Sequence, residues 1–168
     1  MPNIRIAPVT DSDIEPLIGL ARDIWYRHYP DIISVEQIEY MLAQRYGAEL
    51  IRAQIASGAA WWDKLELDAA LVAFSACERG SKPDEMKLDK LYVGYGLRGQ
   101  GLGSLLIRNA ENRARAAGCT RLLLQVNKNN TSAIAAYRRN GFAVEREAKF
   151  DIGNGFYMDD YVMVKEVK

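Results

Sequence analysis

The chain is poor in cysteine and histidine and has no surplus of charge of either sign. Its 168 residues include two cysteines and one histidine. Cys77 and Cys119 lie far apart in sequence, and with His28 they make no familiar zinc cluster, so no metal is expected. Two lone thiols read as buried groups in a reducing cytoplasm, not as a disulfide framework. Lys plus Arg number 22, as do Asp plus Glu. A formal net charge of zero gives no basic field of the kind a nucleic-acid binder depends on. No apolar run approaches a membrane span, and the start, Met-Pro-Asn-Ile-Arg-Ile, does not read as a signal peptide. Repeats, linkers and low-complexity segments are missing too. What remains is an ordinary globular composition, 49% apolar and 26% charged, long enough for one domain over residues 1–168 with a full core.

The most informative stretch is Tyr92-Val-Gly-Tyr-Gly-Leu-Arg98-Gly-Gln-Gly-Leu-Gly-Ser104. An apolar run, Leu88 to Val93, precedes it, and Leu102, Leu105, Leu106 and Ala110 follow at helical spacing. The stretch is therefore a strand, a glycine-rich loop and a helix start. Gly99, Gly101 and Gly103 have no Cβ, so backbone N–H groups there can approach a ligand closely. The helix start adds free N–H donors and a partial positive charge, and Arg98 adds a planar cation. These features suit a phosphate or pyrophosphate. A nucleoside-triphosphate loop would need Gly-Lys followed by Ser or Thr, which does not occur. Gly94, Gly96 and Gly99 match the G-x-G-x-x-G spacing of dinucleotide binders. That reading needs a carboxylate at the end of the next strand, where Gln125, Val126 and Asn127 stand instead. Glycines here also serve simply to turn a strand into a helix.

Along the chain, Ile4 to about Val9 reads as a first strand. A helix follows with its apolar stripe at Ile14, Leu17, Ile18, Ala21, Ile24 and Trp25, ending near Tyr29-Pro30. Ser34 with Gln37 forms a capping-box pattern for a second helix, with a break at Gly47 inside its apolar face. Strands are expected over about 60–65, 69–77 and 86–93, then a helix over 102–117 stopped by Gly118. Arg121 to Val126 is apolar at nearly every position, as in a strand covered on both faces. A short helix over 131–140 and two strands joined at Gly153-Asn154-Gly155 complete the order β-α-α-β-β-β-α-β-α-β-β. This is an α/β (α+β) class with a mixed central sheet of about seven strands and flanking helices. Trp61 and Trp62 are adjacent in a strand and should face opposite ways. One is expected in the core and the other outside, where it suits contact with a second copy of the chain.

The second motif is Asn127-Lys-Asn-Asn130-Thr-Ser-Ala133-Ile-Ala-Ala-Tyr137, then Gly141-Phe142. Ala133, Ile134 and Tyr137 share a helix face. On spacing alone, Tyr137 reads first as a core aromatic with its hydroxyl satisfied locally. Arg98-x-x-Gly101-x-Gly103 resembles the coenzyme A pyrophosphate loop of the GCN5-related N-acetyltransferases. Asn130-x-x-Ala133-x-x-x-Tyr137 with Gly141-Phe142 resembles the second half of that signature, one strand later, as in that family. The two motifs and the strand order carry the resemblance over nearly the whole chain.

The resemblance implies that acetyl-coenzyme A is the co-substrate and that its acetyl group passes directly to an amine. Residues Arg98, Gly99, Gln100, Gly101, Leu102, Gly103 and Ser104 would hold the pyrophosphate, with Asn130 on the coenzyme's arm. Backbone donors near Leu91, Tyr92 and Val93 would stabilise the oxyanion, and Tyr137 would protonate the departing thiolate. Many relatives place a glutamate in the strand before the loop, where this chain has Lys87. Asp89 lies two residues on, on the same strand face, and is the candidate base, although it reads equally as a salt-bridged surface acid. The family's acceptor cleft would draw on Tyr26, Tyr29 and Asp31, with His28, Glu36 and Tyr40 nearby, and on Tyr157 and Asp159 beside Asp160. Acids and tyrosines suit a cationic amine, either a small molecule such as a polyamine or an amine on a protein. The alternative is a non-enzymatic acyl-coenzyme A sensor on the same fold.

Overall fold

The computed structural model describes residues 1–168. The strands are β1 (Ile4–Pro8), β2 (Trp61–Leu67), β3 (Ala70–Arg79), β4 (Glu85–Val93), β5 (Arg121–Asn127), β6 (Ala143–Gly153) and β7 (Phe156–Glu166). The helices are α1 (Ile14–His28), α2 (Val35–Arg45), α3 (Ala48–Ser57), α4 (Leu102–Ala116) and α5 (Thr131–Arg139). The strands make a seven-stranded sheet ordered β1-β2-β3-β4-β5-β7-β6. The fold is thus the mixed α/β arrangement expected, with the second helical region split at Gly47. No helix is long and apolar enough to cross a membrane. The chain divides into two compact units, residues 1–78 with 90–108 and residues 79–89 with 109–168.

In the first unit β1 pairs antiparallel with β2, and β2 with β3. A two-residue turn, Asp68-Ala69, joins β2 to β3 with both residues at positive φ, 49° and 69°. The aspartate suits that region, and its carboxylate accepts from the Asn3 amide at 2.9 Å. α1 presents Ile14, Leu17, Ala21, Ile24 and Trp25 inward, the expected stripe. Ser34 caps α2 by accepting from the Gln37 amide at 3.1 Å, as its sequence pattern requires. Leu65, Ala73, Leu102 and Leu106 form a core cluster, with Ile6, Val72, Leu91, Val93, Leu97 and Leu105 packed against it. The first two turns of α4 are therefore fixed to the sheet by buried leucines, each stabilising by roughly 1.5–3 kcal/mol. That anchoring sets where the helix begins, and hence where the glycine loop ends. Trp62 is buried and Trp61 only partly covered.

In the second unit β4 runs parallel to β5 over three residue pairs, Glu85↔Arg121 to Lys87↔Leu123. β5 then pairs along its whole length with antiparallel β7, and β7 with β6. β5 alternates between buried and half-buried positions, so one of its faces is more closed than the other. The expected hairpin at the end of the chain is a two-residue turn, with Asn154 at φ 55° and Gly155 at φ 79°. Arg121 ties three strands by ion pairs to Glu85 at 3.0 Å, Glu166 at 3.6 Å and Glu145.

Candidate active site

The loop between β4 and α4 owes its course to glycines with separate reasons. Gly94 donates its N–H to the Val72 carbonyl at 2.8 Å, and a Cβ there would stand 3.1 Å from that oxygen. Its place in the G-x-G-x-x-G spacing is thus explained by close approach to β3. Tyr95–Leu97 form a short 3-10 turn. Gly99 and Gly101 sit at φ 79° and 81°, the left-handed region that side chains avoid, with open space where a Cβ would go. Gly103 is an ordinary helical residue, where a Cβ would stand 3.8 Å from a Val93 methyl. The Gly101 carbonyl accepts from the Leu105 amide at 3.2 Å and so opens the α4 ladder. The amides just before Leu105 are those that a helix leaves without intrahelical acceptors. Arg98 and Gln100 are exposed, and Ser104 is half-buried in the first turn. A loop with two left-handed glycines, a helix N-terminus and a guanidinium suits a pyrophosphate, so the residues present fit coenzyme A.

Arg98 is not loose on this surface. Its Nη1 donates to His28 Nδ1 at 3.2 Å, and its guanidinium lies 5.5 Å from the Tyr95 ring centroid. The pairing spans 70 residues, and nothing local in the sequence announces it.

The strand leading into the loop carries two faces. Leu91 and Val93 join the core cluster under α4. The Tyr92 ring lies among aromatic neighbours, 5.8 Å from Trp25 and 5.7 Å from Phe74, and its hydroxyl is 3.1 Å from that of Tyr29. Burial, with the neighbouring Tyr29, pushes the Tyr92 phenol well above its ordinary range, so it stays protonated. Tyr29, expected at the acceptor cleft, is therefore held inward by Tyr92 and by Trp25 at 4.5 Å. Lys90 is buried on the Tyr92 face, with its ammonium 4.9 Å from the Trp62 centroid and 5.6 Å from that of Tyr46. Tyr26 donates its hydroxyl to Glu39 on α2, an interaction that raises its pKa. Asp31 is exposed in the turn after α1.

In the second unit, Asp89 is half-buried and ion-paired with Lys87 at 3.3 Å. The lysine that stands where the family usually has a glutamate thus faces the candidate base directly. Asn130 is buried and opens α5, its carbonyl accepting from Ile134 at 3.1 Å. Tyr137 is half-buried on the same helix, its ring edge-on to Phe142 at 5.8 Å. Asp159 is bridged to Lys128 at 3.0 Å, next to the Asn127–Asn130 turn. Tyr157 is exposed, with Lys149 over its ring at 4.9 Å.

The family model of the Acetyltransferase (GNAT) family matches residues 21–142. A spermidine N(1)-acetyltransferase from Thermoplasma acidophilum is 29% identical over 147 residues, 85% of this chain and 90% of its own length. A streptothricin acetyltransferase from Streptomyces lavendulae is 38% identical over a shorter stretch, 45% of this chain and 40% of its own length. Among solved structures, a PaiA N-acetyltransferase from Thermoplasma acidophilum in complex with coenzyme A has a TM-score of 0.82 at 25% identity, covering 98% of this chain and 99% of that one.

Proposed function

Since this chain belongs to the acetyltransferase (GNAT) family, we propose that it acetylates the primary amine of a small cationic molecule, a polyamine in the first instance. It is an N-acetyltransferase, and acetyl-coenzyme A is its co-substrate. When bound, acetyl-coenzyme A supplies an activated acyl group as a thioester.

The observation that carries the site assignment is the loop from Arg98 to Ser104, with two left-handed glycines running into the start of α4. In this reading the loop amides and Arg98 take the pyrophosphate. Asn130 steadies the coenzyme's arm. Asp89, directly or through a water, accepts the proton that the ammonium of the acceptor must lose. The free amine then attacks the thioester carbonyl, forming the C–N bond as the C–S bond breaks, and the nitrogen gives up its remaining extra proton to water. Backbone N–H groups of Leu91 to Val93 meet the negative charge that develops on the carbonyl oxygen. Tyr137 gives its phenolic proton to the departing sulfur.

The polyamine is supported by the similarity to a spermidine N(1)-acetyltransferase along 85% of the chain. It is also supported by the tyrosines and carboxylates of the segments assigned to the acceptor, Tyr26, Tyr29, Asp31, Tyr157 and Asp159. Release of coenzyme A thiol over a panel of amines tests it. Spermidine is expected to be turned over with a kcat/KM well above that of a peptide bearing a free N-terminus. A preference for the peptide, with no polyamine turnover, would replace the acceptor class.

A further inference from the structure

The last two turns of α1 hold the first residue of the coenzyme loop at two points. Arg98 Nη1 lies 3.2 Å from His28 Nδ1. A guanidinium has only donors, so His28 must accept through Nδ1 and carries its proton on Nε2. The second point is Tyr95, whose ring lies 5.5 Å from the Arg98 guanidinium and 5.4 Å from that of Arg27. Arg27 is itself fixed by Asp23 through an Nε–Oδ1 contact of 3.0 Å. Asp23, Arg27 and His28 all belong to α1. His28 packs edge-on against Tyr29 at 5.0 Å, which limits how far its ring can turn.

We infer that His28 is a positioning residue for acetyl-coenzyme A binding. It holds the Arg98 fork at the mouth of the glycine loop before the pyrophosphate arrives. The inference rests on the coenzyme site proposed above. An exposed arginine that must be ordered on binding gives up rotamer freedom, and a side chain already held avoids that loss. His28 takes one of the five N–H donors, so the others can still grip a phosphate. The arrangement therefore preorganises the cation without competing for it.

Calorimetric titration of coenzyme A into the wild type, His28→Ala and His28→Asn tests this, with steady-state kinetics beside it. Leaving Arg98 to be ordered only on binding predicts coenzyme A binding up to about tenfold weaker in His28→Ala. KM for acetyl-coenzyme A should rise by a similar factor while kcat at saturation holds. In His28→Asn the amide oxygen can stand where Nδ1 stood, and affinity should return to within about threefold of the wild type. Equal or tighter binding in His28→Ala, or an asparagine no better than alanine, overturns the role of His28 and leaves the loop assignment intact. A wild type that binds no coenzyme A overturns both.

Discussion

Tyr137 has two separable parts, a ring that packs edge-on to Phe142 and a hydroxyl that is assigned the acid step. Tyr137→Phe keeps the first and removes the second. If the phenol protonates the sulfur, single-turnover acetyl transfer should slow by roughly 10²- to 10⁴-fold, with coenzyme binding retained. kcat and kcat/KM should fall together, since the lost interaction belongs to the transition state. An unchanged single-turnover rate would remove Tyr137 from the chemistry and leave it a packing residue worth about 1 kcal/mol through its hydroxyl. At this scale the sequence was informative where chemistry is local. Gly99 and Gly101 stand at left-handed positions; Gly101 is visible in the Arg98-x-x-Gly101-x-Gly103 spacing, and Gly99 in the alternating run Gly99, Gly101, Gly103. Gly94 was visible as a glycine, but its reason, the Val72 carbonyl 3.1 Å from where a Cβ would stand, comes from a neighbouring strand. The His28–Arg98 and Tyr29–Tyr92 pairs join residues 70 and 63 positions apart, and no pattern along the chain encodes them.

Among the elements, the helices were the most legible, because a 3.6-residue stripe and a cap are local properties. The Ser34 cap and the apolar face of α1 follow directly from them. The charges inside strands were not legible. Lys64 on β2 is largely buried and meets Asp13 at 2.9 Å and Glu66 at 3.6 Å. Burial works to raise the Asp13 carboxyl, but hydrogen bonds from the Thr10 amide and from Lys64, helped by the Thr10 hydroxyl, outweigh it and hold it below the usual range. A carboxyl whose folded pKa is depressed adds stability above its unfolded pKa and loses it as pH falls through the folded value. The Asp13–Lys64 pair should therefore be fully stabilising at neutral pH and fade below about pH 4. Asp13→Asn should cost about 1–2 kcal/mol at pH 7, because Lys64 keeps only the longer contact to Glu66. The difference from wild type in urea unfolding should shrink as the buffer is taken toward pH 3. A difference that stays constant with pH would mean that the ion pair is not what joins the start of α1 to β2.

For the molecule as a whole, the order of elements and the mixed sheet were readable, because hydrophobic periodicity and turn residues mark each piece. The sheet order was not readable from those marks alone. That β7 lies between β5 and β6 depends on partners chosen across the chain. The two glycine- and asparagine-bearing motifs supplied what periodicity lacked, and the match to the acetyltransferase (GNAT) family over residues 21–142 agrees with them. Chemically, this protein joins an acetyl group from acetyl-coenzyme A to an amine nitrogen. Mass spectrometry of the amine after incubation with enzyme and acetyl-coenzyme A, with free thiol measured in the same tube, tests it most directly. N-acetylated spermidine and free coenzyme A are expected in equal amounts. Coenzyme A that binds and raises the melting temperature, with no acetylated amine formed from any member of the panel, would contradict it.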